Sequence, residues 1–175
     1  MSNNEMNFDD TNNGQKKIVV MGVGNYILSD EGIGIHVIKE LEKLEWPENV
    51  EIYDCGTTGV LSFHKFCEAD ILIAIDAISL REEPGTIRVY DKEDIMLSKV
   101  PMKISPHQIG FQEVLFQTEL HLSCPEVVKL IGVVPESYSP GTELSECCNE
   151  VLPEVIQMTK DMVQEYIEKI NNKEI

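Results

Sequence analysis

Carboxylate and imidazole side chains follow the apolar runs of this sequence at positions that favour one shared site. Asp30 and Glu31 lie in a glycine-rich stretch after the first run, and Asp54 and Asp76 end the next two runs. His107 follows a Ser-Pro pair that is typical of a helix start. If the three runs are neighbouring strands of one parallel sheet, the acids meet at its carboxyl edge, and His107 is placed to face the same crevice.

Two carboxylates and one imidazole form a donor set that suits a borderline divalent metal. Zinc, nickel, manganese and iron accept such mixed ligands, whereas the nitrogen suits calcium poorly. A site of this kind leaves coordination positions open for water or a substrate. The spacing of the residues therefore predicts a cation-binding edge without deciding which two acids contact the cation.

Each of these side chains also has a purely structural explanation. Asp54 and Asp76 are placed to accept hydrogen bonds from backbone amides at turns, where aspartate is common. His107 is placed to bond a carbonyl at a helix end, and Glu31 to favour the amino-terminal dipole of the following helix. The metal interpretation depends on all four groups gathering at one edge.

The glycine-rich stretch after the first run also resembles the start of a dinucleotide-binding loop. Gly22 and Gly24 supply the first half of G-x-G-x-x-G, but Ile27 stands at the third glycine position. Asp30 and Glu31 would moreover repel a pyrophosphate. The sequence therefore disfavours a nucleotide site, while a plain turn that lets strand and helix pack closely stays open.

A nucleophilic serine or cysteine finds little support. The chain has no G-x-S-x-G motif. Cys55 and His107 form the one thiol–imidazole pair worth weighing, and the neighbouring Asp54 would raise the pKa of that thiol.

Charge excludes several classes of partner. The 175 residues include 31 Asp and Glu against 14 Lys and Arg, which gives a net charge of −17. Phosphate backbones and anionic membrane surfaces attract basic patches, so neither nucleic acid nor a membrane surface is an expected partner. No apolar run approaches the length that would cross a bilayer.

Cysteine usage indicates a reducing compartment. Five cysteines, an odd number, occur without a C-x-x-C pair, which is typical of thiols rather than of a disulfide framework. The start of the sequence is polar and rich in asparagine, with no apolar core of a signal peptide. We expect a cytoplasmic protein.

Apolar periodicity predicts one α/β domain over residues 17–170, preceded by a disordered polar tail over residues 1–16. The unbroken run at residues 71–76 predicts a central parallel strand, and the alternation at residues 86–90 predicts an edge strand. We expect a mostly parallel sheet with helices on both faces. Further strands are predicted at 17–22, 50–54 and 127–135, and helices from about 33 to 46, 57 to 67, 105 to 120 and 144 to 170.

Two prolines set expected limits for these helices. Pro47 is expected to stop the first helix, near Trp46. Pro153 is expected to mark either the true start of the last helix or a kink in it.

Five ordered motifs resemble those of the NiFe-hydrogenase maturation endopeptidases. They are GVGNYILSDEGIG, DCGTTG, IDAI followed by PGT, SPHQIG and GVVPES, and the resemblance covers about residues 17–167. It implies a twisted, mostly parallel five-stranded sheet. It also implies an endopeptidase that removes the C-terminal extension of a hydrogenase large-subunit precursor once nickel is in place.

The resemblance assigns roles residue by residue. The metal-contacting positions of the family fall on Glu31, Asp76 and His107, and the aspartate of its D-G-G-T motif falls on Asp54. Cys55 replaces the first glycine of that motif, so its side chain is expected either to crowd the crevice or to offer a thiolate to the metal.

The expected chemistry is peptide hydrolysis by Asp54, Asp76 and Glu31, by either an aspartic-type or a nickel-assisted route. Nickel is expected to arrive with the precursor, and zinc or cadmium to be able to fill the same site in a crystal. Asp30, Gly56 and Thr57 are expected to contact the substrate. A non-catalytic nickel- and precursor-binding chaperone, and less favourably a nucleoside-binding enzyme, stay open as alternatives.

Overall fold

A five-stranded sheet forms the centre of the computed structural model, which describes residues 15–57, 63–97, 111–120 and 125–175. The strand order is β2-β1-β3-β5-β4. All neighbours are parallel except β4, which runs antiparallel to β5. The predicted α/β class and mostly parallel sheet are therefore confirmed. The strands are β1 (Ile18–Val23), β2 (Val50–Gly56), β3 (Ile71–Ala77), β4 (Ile87–Asp91) and β5 (Val127–Val133).

Helices cover both faces of this sheet, as predicted. The core on one face includes residues of α1 and α5, and the core on the other includes residues of α2, α3 and α4. Within the described part of the chain, none of the helices has both the length and the apolar character to cross a membrane. The helices are α1 (Ile33–Leu41), α2 (Phe63–Glu68), α3 (Lys92–Met96), α4 (Phe111–Leu120) and α5 (Glu146–Asn171).

Burial explains why the central strands have unbroken apolar sequences. Every residue of β3 is buried, and β1 is buried up to its last residue, because helices pack on both sides of them. By contrast, β4 is partly exposed along its whole length at the edge of the sheet. The predicted central and edge strands are both confirmed.

The first helix ends earlier than the sequence predicts. It stops at Leu41, and the indole N–H of Trp46 donates a hydrogen bond of 2.8 Å to the carbonyl of Leu41. The amide of Leu44 donates to the same carbonyl at 3.1 Å, so a tight turn and the indole together satisfy the last carbonyl of the helix. Pro47 therefore follows a turn and does not itself end the helix.

The last helix contains its proline. Ser145 caps α5 by accepting a hydrogen bond from the amide of Cys148, so the helix starts seven residues before Pro153 rather than at it. Pro153 costs the helix one amide donor but remains exposed on its surface. Cys147 and Cys148 lie in the first turn of this helix.

The connection between β4 and α4 contains a short helix that the sequence analysis did not predict. Asp91 starts α3 by accepting a hydrogen bond of 3.1 Å from the amide of Asp94. Of the helix predicted over 105–120, the structure shows α4 from Phe111 onward, and the predicted start lies outside the described residues. The predicted tail over 1–16 also lies almost entirely outside them.

Candidate active site

The sheet reverses its winding direction between β1 and β3. The chain leaves β1 through α1 to reach β2 on one side, and then crosses β1 to form β3 on the other side. In open α/β sheets this reversal leaves a crevice at the carboxyl ends of the two strands, where ligands bind. Glu31 follows β1 and Asp76 is the penultimate residue of β3, so both lie at the edge where this crevice forms. Their predicted roles in catalysis and metal contact stay predictions.

Gly24 joins the three segments that carry the predicted acids. Its φ of +130° is a conformation that favours glycine. The amide of Gly24 donates a hydrogen bond of 3.0 Å to the carbonyl of Gly56, at the end of β2. A Cβ on Gly24 would overlap the carbonyl of Glu31 and lie 3.7 Å from Oδ1 of Asp76. Side chains other than hydrogen are therefore excluded at the centre of the site.

Glu31 and Asp76 are both nearly buried, with 8% and 6% of their surface exposed. Glu31 lies in a 3-10 turn over Ser29–Gly32 that packs against β3. Its amide donates to the carbonyl of Leu28, and its carbonyl accepts from the amide of Asn25, each at 3.1 Å. Carboxylates with so little exposure favour a cation or a shared proton as their partner.

Asp54 is exposed and lies across β1 from Asp76. It pairs in register with Gly22, whose other neighbour is Ile75 of β3. Since adjacent strands are about 4.8 Å apart, the backbones that carry the two aspartates are roughly 10 Å apart. Asp54 therefore lies near the same carboxyl edge of the sheet as Asp76, with β1 between them.

The turn after Asp54 belongs to the same edge. Oδ1 of Asp54 accepts a hydrogen bond of 2.9 Å from the amide of Gly56, which adopts a φ of +55°. Thr57 follows and is exposed. Gly56 and Thr57 thus lie next to Asp54, and their contact with substrate stays a prediction.

Asp30 has a different place from the one expected. Its side chain is completely buried. Its Oδ2 accepts hydrogen bonds from the amides of Glu136 and Ser137, both at 2.9 Å, and its Oδ1 accepts one of 2.7 Å from the amide of Ser145. The expectation that Asp30 points into the crevice to meet substrate is corrected, because this carboxylate is enclosed by the loop between β5 and α5.

The charge on Asp30 is favoured by these contacts. Burial acts to raise the pKa of Asp30, but the hydrogen bonds from Ser145, Ser137 and Glu136 outweigh burial and lower that pKa below the ordinary value for aspartate. The sequence analysis missed this role because the three donors are backbone amides, which carry no residue-type signal.

Cys55 packs away from the crevice. Only 4% of its surface is exposed, and it belongs to the apolar cluster that contains Met21 and Phe66, on the face covered by α2 and α4. The expectations that its thiol crowds the crevice or offers a metal ligand are both corrected. An inward-facing cysteine in place of glycine fills core volume and leaves the turn at Gly56 intact.

His107 lies outside the described residues, so the predicted third metal ligand stays a prediction. Among the residues that the structure describes, no group of three or more His, Cys, Asp and Glu side chains has a metal-binding arrangement. Glu31 and Asp76 are accordingly the described part of the proposed set. His36 lies in α1, and its Nε2 is 3.0 Å from the carbonyl oxygen of Thr142.

Known proteins resemble this chain over most of its length. The family model described as hydrogenase maturation protease (HycI) matches residues 35–162. The chain is 34% identical over 151 residues to the hydrogenase 2 maturation protease of Escherichia coli K12, which covers 85% of this chain and 92% of that protein. It is 36% identical over 143 residues to the hydrogenase expression/formation protein HupD of Rhizobium leguminosarum bv. viciae, with 81% and 71% covered.

Solved structures share the same fold. The hydrogenase-maturating endopeptidase HybD of E. coli matches with a TM-score of 0.79 at 33% identity, over 86% of this chain and 93% of that one. The HycI protease of Thermococcus kodakarensis KOD1 matches with a TM-score of 0.70 at 23% identity, over 87% and 95% of the two chains, and so supports the fold alone. These similarities place the chain among the endopeptidases, which are hydrolases. It belongs to the hydrogenase maturation protease family.

Proposed function

We propose that this endopeptidase removes the C-terminal extension of a NiFe-hydrogenase large-subunit precursor after nickel insertion. The observation that carries the proposal is that two nearly buried acidic residues, Glu31 and Asp76, approach Gly24 in the crevice between β1 and β3, Glu31 with its main-chain carbonyl and Asp76 with its Oδ1. This arrangement suits recognition of a cation, and the family membership supports a precursor as the substrate.

In this proposal Glu31, Asp76 and His107 contact nickel that the precursor itself carries. Two carboxylates and an imidazole fit the ligand preferences of a borderline divalent ion, and zinc or cadmium would fit the same set. A protease whose docking needs the metal of its substrate cuts only a loaded precursor. Specificity then comes from completion of the site by the correct substrate.

Asp54 is the proposed group for proton transfer during hydrolysis. It lies near the carboxyl end of β2 and is exposed, so it has access to water. In the aspartic-type route Asp54 takes a proton from the attacking water and returns it to the leaving amide nitrogen. In the nickel-assisted route the metal of the substrate polarises the scissile carbonyl, and Asp54 orients the water.

Gly56 and Thr57 are the proposed contacts of the peptide next to the scissile bond. Gly56 turns the backbone at the end of β2 with its φ of +55°, and Thr57 presents an exposed hydroxyl. Both lie beside Asp54, so a peptide bound there would place its backbone between Asp54 and the two buried carboxylates.

The net charge of −17 supports a protein partner with basic surface rather than nucleic acid or a membrane. We assign the reaction to the cytoplasm, because an odd set of cysteines without a C-x-x-C pair is typical of a reducing compartment.

The test is cleavage of nickel-loaded precursor by Glu31→Gln and by Asp76→Asn, which remove a charge at nearly constant volume. Both variants should lose processing, because the site no longer matches a cation. Glu48→Gln is the matched control, since Glu48 is exposed near the start of β2, at the opposite edge of the sheet. Undiminished cleavage by Glu31→Gln would refute the assignment. Capture of precursor by the wild-type protein with no change in precursor mass would indicate the chaperone alternative.

A further inference from the structure

Two loops at the edge of the site are joined along much of their length. We name them the acidic loop (residues 24–32, after β1) and the β5–α5 loop (residues 134–145). Side-chain and backbone groups of the acidic loop bond to partners more than 100 positions later in the chain. The side chain of Asp30 accepts three of these hydrogen bonds. The others, written from donor to acceptor, are Ser29 N to Gly141 O at 2.9 Å, Gly141 N to Ile27 O at 3.0 Å, Asp30 N to Ser137 O at 3.2 Å and Ser29 Oγ to Ser139 O at 2.9 Å.

Asp30 is the side chain at the centre of this junction. It is completely buried and binds both ends of the β5–α5 loop at once. One carboxylate oxygen holds Glu136 and Ser137 soon after β5, and the other holds Ser145 at the cap of α5. Hydrogen bonds to an ionised acceptor are among the stronger ones in proteins, and a buried acceptor cannot exchange them for water.

The fixed direction of Asp30 also fixes its neighbour Glu31. The two residues lie in one 3-10 turn, in which successive side chains are about 120° apart because each turn has three residues. With Asp30 pointing into the β5–α5 loop, Glu31 is turned away from that loop. The backbone of Glu31 has little freedom to compensate, since both its amide and its carbonyl are bonded within the acidic loop.

We infer that Asp30 is a positioning residue, which anchors the acidic loop to the β5–α5 loop so that Glu31 presents its carboxylate to the metal of the substrate. This inference rests on the proposed function, in which Glu31 makes that contact. It assigns the GVVPES motif a role as the backbone cradle of Asp30, and it makes the start of α5 part of the support of the site.

The variant that tests this is Asp30→Asn, which keeps the size and shape of the side chain. The amide group of asparagine has one acceptor oxygen and one donor nitrogen, so the nitrogen must face an amide that is itself a donor. Native-state hydrogen exchange should therefore become faster at the amides of Glu136, Ser137 or Ser145. Exchange that is unchanged at all three would overturn the anchoring part of the inference, independently of any activity.

A double-mutant cycle on precursor capture separates positioning from a general structural effect. Asp30→Asn should weaken binding of nickel-loaded precursor at least fivefold. In the Glu31→Gln background the same substitution should change binding less than twofold, because its effect passes through Glu31. Val163→Ala, in the buried face of α5, is the control that lowers thermal stability without changing capture.

The outcomes distinguish this inference from the proposed function. If wild-type protein binds nickel-loaded and nickel-free precursor equally, the proposed function fails. Two other outcomes overturn only the positioning role of Asp30 and leave the proposed function intact, provided that wild-type protein prefers the loaded precursor. In one, the losses of affinity caused by Asp30→Asn and Glu31→Gln multiply in the double mutant. In the other, Asp30→Asn binds precursor as tightly as the wild type.

Discussion

The main-chain oxygen of Glu31 lies 1.8 Å from the point that a Cβ on Gly24 would occupy. Real Cβ atoms do not approach another heavy atom so closely, so this contact exists only because Gly24 has no side chain. The first loop after β1 folds back on itself at this point and brings Glu31 to the end of β3. The geometry of the site therefore depends on one glycine.

Gly24→Ala should displace the backbone of Glu31 and reduce cleavage at least tenfold. Positive φ costs an alanine about 1–2 kcal/mol, and the overlap adds to that strain. The control is Gly85→Ala, where φ is +83° but the nearest atom would be 3.3 Å from the new Cβ. Thermal unfolding and precursor cleavage measure both variants. Gly85→Ala should lose stability only, and equal cleavage by the two variants would contradict the role of Gly24.

Asp54→Asn should capture nickel-loaded precursor but leave it uncut. A proton-transfer group typically contributes a factor of 10² to 10⁴ in rate, roughly, while its binding contribution is small. We expect kcat to fall at least 100-fold with the dissociation constant for precursor within about twofold of wild type. Asp161→Asn, on the exposed face of α5, serves as the control. A normal kcat would remove Asp54 from the chemistry.

Cys55→Ala should process precursor at the wild-type rate. The thiol of Cys55 packs against the core on the α2 side, so its removal should lower the free energy of unfolding by about 1 kcal/mol. Urea unfolding and a cleavage time course measure the two effects separately. A correctly folded Cys55→Ala protein without activity would contradict this prediction and would support the thiol nucleophile that the sequence disfavours.

Glu51 gives the protein an acid-sensitive part of its stability. Burial acts to raise the pKa of Glu51, but its ion pairs with Lys17 at 2.7 Å and Lys65 at 2.6 Å outweigh burial and lower that pKa. A lowered carboxyl pKa stabilises the fold above the unfolded value of about 4.3 and loses this effect as pH falls through the folded value.

The stability difference between wild type and Glu51→Gln should therefore be largest near neutral pH and should close below about pH 4. These pairs are partly exposed, so the difference should be about 1 kcal/mol or less. Urea titrations at the two pH values measure it, with the exposed Glu154→Gln as the control. A difference that is the same at both pH values would contradict the assigned ion pairs.

Apolar periodicity predicted the strands of the sheet well, because a buried position needs an apolar residue. The unbroken apolar run of β3 predicted a strand that is covered by helices on both faces. The alternating sequence of β4 predicted its position at the edge of the sheet. Helix ends were harder to predict. The indole of Trp46 bonds the last carbonyl of α1, and the side chain of Ser145 caps the start of α5 ahead of Pro153. An apolar pattern does not encode either contact.

The sequence predicted that Glu31 and Asp76 come to one edge of the sheet, but it did not predict the burial of Asp30. Glu31 and Asp76 lie together because parallel neighbouring strands bring their carboxyl ends to one edge. Asp30 and Glu31 have the same chemistry and adjacent positions, yet it is the carboxylate of Asp30 that backbone amides enclose. That difference arises from the β5–α5 loop, more than 100 residues away in sequence, and no local rule could assign it.

The most direct measurement is the mass of a hydrogenase large-subunit precursor after incubation with this protein, in parallel for nickel-loaded and nickel-free precursor. The proposed function predicts that the loaded precursor loses the mass of its C-terminal extension while the nickel-free precursor keeps its full mass. Cleavage of both forms at the same rate would contradict recognition of nickel by Glu31 and Asp76, and full mass for both would contradict the proposed reaction.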